Sequence, residues 1–376
     1  DIVDVVGRYV QLKKGGANYL GLCPFHNEKS PSFTVSPAKQ FFHCFGCGAN
    51  GSAIGFMMEF SGMSFIEAVK DLAQGVGMTV PEQEDRLPPA QRAALQARSL
   101  ALSEVMSRAC DYYRQQLRAS TNAIDYLKRR GLTGEIAAKF WIGYAPDAWD
   151  SLRQVFPDYQ DPVLVESGMV IDKGDEEGGV RKRYDRFRDR IMFPIRNPKG
   201  QVIGFGGRVL EQGEPKYLNS PETPLFQKGT ELYGLFEARQ AIREKGYVLV
   251  TEGYMDVVAL AQFGVAQVVA TLGTACTAVH VQKLLRQTDQ VVFSFDGDAA
   301  GRRAARRALE ACLPHATDSR TLKFLFLPVE HDPDSFIRAH GTEAFEQLIR
   351  DATPLSQFLI ATVTEQQDLS TAEGRA

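Results

Sequence analysis

The spacing Cys23-x2-His26-x17-Cys44-x2-Cys47 constrains this chain more than any other feature of it. Within each pair the two residues sit at the distance a tight turn closes, so both ligand atoms face one ion, and two such knuckles complete a tetrahedral shell. No position is left for water or substrate. One structural Zn²⁺ is therefore expected, its binding free energy standing in for a core too small to fold alone. Between the knuckles, residues 32–36 and 40–43 are β-prone runs flanking Pro37-Ala38-Lys39, the pattern of a hairpin within a zinc ribbon. Residues 53–60 are apolar on most sides, and Ser64-Phe65-Ile66-Glu67 is a capping-box signature opening a helix toward residue 73. His43 precedes Cys44 on a strand whose faces alternate, so it should point away from the ion. It reads as a surface or nucleic-acid contact, or as an ordinary satisfied histidine.

Six cysteines are few for 376 residues, and Cys110, Cys276 and Cys312 lie apart in apolar surroundings. That is a cytosolic metal pattern and not a disulfide framework. The length suits two or three domains. The balance of 43 basic against 46 acidic residues, a net charge of −3, excludes a globally basic nucleic-acid binder and leaves local basic surfaces open. Such a surface is suggested near the knuckles, where Lys13, Lys14, Lys29 and Lys39 interleave with Phe33, Phe41 and Phe42; lysines meet phosphates while rings either stack on bases or fill the core. No apolar run is long enough for a membrane span. The chain opens on Asp-Ile-Val-Asp-Val-Val, which reads as the middle of an amphipathic helix, and stops as abruptly at Ala376, so a fragment is expected. Residues 77–89, rich in proline and acids, read as a linker. Helical periodicity resumes over 90–117 and again over 123–130 and 134–140, with Lys128-Arg129-Arg130 placed to complement a helix C-terminus.

Two apolar runs end in acids. Tyr247-Val248-Leu249-Val250-Thr251 leads into Glu252-Gly253-Tyr254-Met255-Asp256 and a helix; Val291-Val292-Phe293-Ser294-Phe295 leads into Asp296-Gly297-Asp298 and another. Strands alternating with helices imply a buried parallel sheet, whose ligands gather at the carboxyl ends of the strands. A third run, 321–327, leads to His331-Asp332-Pro333-Asp334. Carboxylates collected without His or Cys select Mg²⁺ or Mn²⁺, ions that bridge nucleotide phosphates and assist a hydroxyl's attack on phosphorus. Alone, Asp-Gly-Asp is an ordinary turn; its repetition at equivalent strand ends is what points to catalysis. Ahead of these acids, residues 190–196 and 202–209 read as a strand pair joined at Asn197-Pro198-Lys199-Gly200. The run Gly204-Phe205-Gly206-Gly207-Arg208 is expected to let a polyanion approach the backbone while Arg208 pairs with phosphate. Arg302, Arg303, Arg306 and Arg307 recur at helical spacing and read as a solvated face.

These motifs together resemble bacterial replicative primases of the DnaG type. Cys-Pro-Phe-His and His-Cys-Phe-Gly-Cys-Gly are similar to that family's zinc-binding domain, and Glu252-Gly253-Tyr254-Met255-Asp256 with Asp296-Gly297-Asp298 to its Toprim module. The resemblance implies an α+β multidomain chain: a zinc ribbon over 1–80, a linker over 81–90, a mixed α/β subdomain over 91–235, a Toprim subdomain with a Rossmann-like parallel sheet over 236–340, and the start of a helical subdomain over 341–376. It implies a cytoplasmic enzyme of the replication fork that makes short RNA primers on single-stranded DNA from ribonucleoside triphosphates. Glu252, Asp296 and Asp298 would be the catalytic residues and principal ligands of one to two or more Mg²⁺ or Mn²⁺ ions, supported by Asp256, Asp332 and Asp334. Arg208, Lys216, Asn219 and Lys228, joined by Arg130, would contact template, primer or nucleotide. The implied partners are the replicative helicase, through a C-terminal domain that this chain does not carry, and single-strand binding protein.

Two rivals remain at this stage. A Toprim-type nuclease or topoisomerase uses similar acids to cleave DNA; a topoisomerase also needs a tyrosine nucleophile, which twelve tyrosines leave open, while the zinc ribbon argues against it. A non-catalytic DNA-binding repair factor would have its acids thinned out, and here they are complete. A fused helicase is excluded, because no Gly-Lys pair exists to build a phosphate loop.

Overall fold

Two separately cored units make up the chain, Asp1–Ala93 with Arg243–Lys245, and Ala94–Ile242 with Gly246–Ala376. The computed structural model describes residues 1–61, 63, 65–75, 78, 89–174, 182–211 and 213–365. The expected cap at Ser64 and linker residues 81–88 lie outside these.

The first unit opens with α1 (Ile2–Gly7) and continues through β1 (Lys13–Gly15), β2 (Asn18–Gly21), β3 (Phe33–Ser36), β4 (Phe41–Cys44) and β5 (Asn50–Gly51), five antiparallel strands paired in sequence order. Helices α2 (Ala53–Phe60) and α3 (Phe65–Gly75) follow. Alternation along β3 and β4 buries Phe33, Val35, Phe42 and Cys44 on one face. The rings of Phe33 and Phe42 stack at 5.2 Å and Phe56 of α2 meets Phe42 edge-on at 5.6 Å, so this core is aromatic. Phe33 and Phe42 are thus core residues, while Phe41 is 39 % exposed and stacks its ring on Phe42.

In the second unit α4 (Pro89–Ala119), α5 (Thr121–Arg129) and α6 (Gly134–Lys139) precede β6 (Gly143–Ala145), α7 (Pro162–Glu166), the hairpin β7 (Val170–Asp172) and β8 (Arg183–Asp185), and β9 (Arg190–Arg196), β10 (Val202–Val209) and β11 (Tyr217–Asn219). Strands β11-β10-β9-β6 form an antiparallel sheet. Every residue of β9 is buried, because rings and helices cover both faces. The glycine run of β10 corrects the sequence expectation. A Cβ at Gly206 would lie 2.5 Å from the Tyr254 ring, one at Gly207 2.9 Å from Phe187, and one at Gly204 3.1 Å from Phe226. These glycines admit the protein's own aromatic rings and leave no backbone open to a polyanion.

The remainder alternates helix and strand: α8 (Leu235–Lys245), β12 (Val248–Thr251), α9 (Tyr254–Gln262), β13 (Val268–Ala270), α10 (Ala278–Leu285), β14 (Gln290–Phe295), α11 (Ala299–Cys312), β15 (Thr321–Phe326), α12 (Pro333–Asp351), β16 (Thr353–Pro354) and α13 (Leu355–Thr364). The sheet order is β13-β12-β14-β15-β16, parallel except for β16. Val248, Val250, Val291, Phe293 and Phe324 pack on one face against α10 and α11; Leu249, Val292 and Leu325 pack on the other against α9 and α12. No helix among the described residues is long and apolar enough to cross a membrane.

Candidate active site and metal centre

The knuckles converge. The ligand atoms of Cys23, His26, Cys44 and Cys47 all lie within 4.8 Å of one another. Cys23 Sγ and Cys47 Sγ are 3.7 Å apart, matching the edge of about 3.8 Å expected of a tetrahedron with Zn–S bonds of about 2.3 Å. His26 turns Nδ1 toward Cys44 Sγ at 3.8 Å, while its Nε2 lies 3.3 Å from Glu28 Oε2. Three thiols and an imidazole nitrogen in this arrangement fit Zn²⁺. Glu28 is the residue that the spacing argument misses: it also accepts from Cys23 N at 2.7 Å and from both the backbone and the hydroxyl of Ser32. Burial works against its charge, yet these hydrogen bonds and His26 hold its pKa below the ordinary range. An acid two residues after a ligand histidine was the available signal. His43 is half-buried with its ring edge-on to Phe45 at 4.6 Å, and its Nδ1 is buried without a hydrogen-bond partner, so it is not the satisfied histidine the sequence allowed.

The acids converge as well. After β12 the chain crosses to β13 on one side and then to β14 on the other, so strand order reverses between β12 and β14, where a crevice opens at the carboxyl edge. Glu252 ends β12 and Asp296 ends β14, flanking that reversal; Asp332 and Asp334 follow the neighbouring β15. Asp298 caps α11 by accepting from Gly301 N at 2.7 Å, and Asp332 caps α12 by accepting from Ser335 N at 2.7 Å. Each acid is thus seated at a helix N-terminus, where partial positive charge favours it. Burial raises the Glu252 carboxyl, and the charges of Asp296 and Asp298 raise it further. Asp296 is raised by burial, Asp332 and Asp298. Asp256, in the first turn of α9, is pushed well above its usual range by burial and by Asp332, Asp334 and Asp296. Two overlapping groups result, Glu252 with Asp296 and Asp298, and Asp256 with Asp332 and Asp334, joined through Asp296. Glu252, Asp298 and Asp332 are exposed, Asp256 and Asp296 half-buried and Asp334 buried; carboxylates that repel one another at one edge are the kind of donor set a divalent cation neutralises, and oxygen donors suit a hard ion. Gly297 is required here: a Cβ would meet the Leu327 carbonyl oxygen at 2.2 Å, so only glycine lets the Asp-Gly-Asp turn lie against the end of β15.

The basic residues divide. Arg208 is buried, its guanidinium 5.1 Å above the Tyr217 ring and bonded to that hydroxyl. Burial pushes Tyr217 up to about 12, with Arg208 opposing and Asp256 reinforcing the shift. Arg130 caps α5; burial lowers its pKa but Tyr126, Asp334 and Tyr217 raise it on balance. Arg130 and Arg208 therefore stand beside Tyr217, next to the acids. Asn219 accepts from the Tyr254 hydroxyl at 2.6 Å and donates to the Leu272 carbonyl at 2.8 Å, leaving one N–H for a ligand. Lys216 is exposed, and Lys228 is half-buried with its carbonyl 3.0 Å from His280 Nε2.

Two features escape sequence reasoning. Arg307 is exposed, as a solvated face requires, and it also borders a cavity of about 320 Å³ with Glu252, Thr251, Thr271 and Thr274, where its charge favours ionised Glu252. Arg302 and Arg303 are exposed, and Arg306 pairs with Glu365. A second cavity, about 700 Å³, is lined by Trp149, Arg153, Lys173, Lys182, Tyr184 and Arg188. The Arg188 guanidinium lies 4.0 Å over Trp149, a ring 65 % exposed. Only the β7–β8 hairpin and its flanking loops unite these positions; in sequence they are scattered.

A zinc-ribbon unit joined to a sheet with a carboxylate cluster at its strand ends places the chain among zinc-ribbon proteins bearing a Toprim-type acidic site. Family models agree: residues 1–87 match the CHC2 zinc finger, 112–239 the DNA primase catalytic core N-terminal domain, and 249–337 the Toprim-like family. DNA primase of Neisseria meningitidis serogroup A is 57 % identical over 380 residues, all of this chain and 63 % of that protein. The Escherichia coli DNA primase is 49 % identical over 381 residues, again all of this chain and 64 % of the relative. Among solved structures, the zinc-binding and RNA polymerase domains of Aquifex aeolicus primase align with TM-score 0.63 and 36 % identity over 97 % of this chain and 86 % of that one. The DnaG primase catalytic domain bound to ssDNA aligns with TM-score 0.70 and 48 % identity over 74 % and 90 %. The chain belongs to the DnaG-type DNA primase family, and it spans under two thirds of the length of these two curated relatives.

Proposed function

We propose that this chain is the zinc-binding and RNA-polymerising part of a bacterial DNA primase, making short RNA primers on single-stranded DNA from ribonucleoside triphosphates. The observation that carries the reading is the set of mutually repelling acids gathered at the β12/β14 reversal. Glu252, Asp296 and Asp298 would hold Mg²⁺ or Mn²⁺, with Asp256, Asp332 and Asp334 completing one or more further positions. A bound dication would supply charge neutralisation for the nucleotide phosphates and for the attacking 3′-hydroxyl. The protein's part is positional: Asp298 and Asp332 are fixed by their caps, Arg130 and Arg208 present cations beside the acids, and Lys216, Asn219 and Lys228 lie on the same β11 side. The cavity at Trp149 and Arg188, an exposed ring beside several cations, suits a single-stranded template. Cys23, His26, Cys44 and Cys47 would hold the structural Zn²⁺. The domain divisions given above for 1–80, 81–90, 91–235, 236–340 and 341–376 belong to this proposal, as do cytoplasmic location, single-strand binding protein as partner, and a helicase engaged through a domain beyond this chain.

The test is primer synthesis on single-stranded DNA with ribonucleotides and Mg²⁺ or Mn²⁺. Glu252→Gln and Asp296→Asn should each retain the fold and lose activity by at least about a hundredfold. RNA made undiminished by both variants would sink the site, and DNA nicking without RNA would favour the nuclease.

A further inference from the structure

Outside the ribbon and the acid cluster, two histidine side chains, a metal-ligating kind, are brought together by the fold. His331 sits just before the cap of α12, and His340 ends the first half of that helix, where Gly341 (φ 81°, ψ 174°) breaks it. Their Nε2 atoms are 3.4 Å apart. Helical side chains lean toward the N-terminus, and His340 accordingly lies over Phe336, at 4.6 Å between ring centres, to meet His331.

His331 Nδ1 lies 3.3 Å from Ser335 Oγ, and its Nε2 faces His340. An imidazole held through one nitrogen with the other presented is the arrangement of a metal-bound histidine. The separation supports this. Two nitrogens at about 2.0–2.1 Å from one tetrahedral ion stand about 3.3–3.4 Å apart, whereas a direct nitrogen–nitrogen hydrogen bond would be shorter, at about 3.0 Å.

We propose that His331 and His340 form a two-histidine site for a first-row transition dication of the imidazole-preferring kind, such as Zn²⁺, Ni²⁺ or Cu²⁺. Among the described residues no third His, Cys, Asp or Glu joins them, so water completes the shell and the affinity is that of two protein ligands. The hard ions suited to the carboxylates are poor occupants. Occupancy ties the segment ahead of Asp332 to the first half of α12.

The chain with its ribbon loaded with zinc, in saturating Mg²⁺, is titrated with Ni²⁺ by calorimetry, and bound Cu²⁺ is examined by electron paramagnetic resonance. The expected result is one Ni²⁺ bound per chain, weakened at least about tenfold in H340Q and in H331Q, with coupling to two nitrogens in the copper spectrum of the parent. His340 is exposed, so H340Q should fold; zinc content and melting temperature equal to the parent's establish that it has. Asp296→Asn should leave the Ni²⁺ affinity unchanged. Equal Ni²⁺ affinity in parent and H340Q overturns the proposal, as does loss of binding in Asp296→Asn, which assigns the ion to the acids.

Discussion

Asp256 shows how charge and burial oppose one another at a single residue. Its carboxyl is held well above the ordinary range, first by burial and then by three neighbouring acids. Such a group binds its proton more tightly folded than unfolded, so it adds stability below the ordinary carboxylate range and loses it as pH rises through the elevated value. Asp256→Asn should therefore melt above the parent at neutral pH in Mg²⁺-free buffer and match it below about pH 4. Saturating Mg²⁺ should narrow the neutral-pH gap. Glu28 carries the opposite sign, its charged form being the one that the hydrogen bonds favour. Glu28→Gln should weaken zinc binding about 10–100-fold, read by competition with a chelating dye. The acids could be read because the apolar runs 247–251, 291–295 and 321–327 lead into them; for Glu28 only its place two residues after a ligand histidine was on offer, and Arg307, on an amphipathic helix, declares nothing until the chain folds.

At the scale of elements, strands were legible from alternation or from unbroken apolar runs, and helices from period. What sequence could not supply is which chain passes over which strand. The β10 glycines illustrate it: read in one dimension they suggest an open backbone, but Tyr254, Phe187 and Phe226 arrive from other elements to fill them. Gly206→Ala should destabilise by about 1–3 kcal/mol through overpacking against Tyr254, visible as a lowered denaturation midpoint. The Trp149 cavity is the same lesson with a functional outcome. Trp149→Ala should reduce single-stranded DNA affinity by about 1–3 kcal/mol in an anisotropy titration, while the far-ultraviolet spectrum stays unchanged.

For the whole molecule, each unit has its own buried apolar clusters among the described residues. Removing zinc should abolish the first unit's thermal transition and leave the second unit's in place, and calorimetry with and without chelator checks this. One unit carries the metal ligands and the other repeats strand and helix. Another property of the second unit follows from how its main sheet ends. On one side β16 pairs antiparallel with β15, and Pro354 has no N–H to carry pairing further. On the other, Tyr233 exchanges two backbone hydrogen bonds with Ala270 of β13. Each margin is thus partly covered, which shortens the unpaired backbone offered to another chain, a common route by which sheets aggregate. A chain cut before residue 353 would bare β15 and should self-associate as concentration rises, an outcome that light scattering would register.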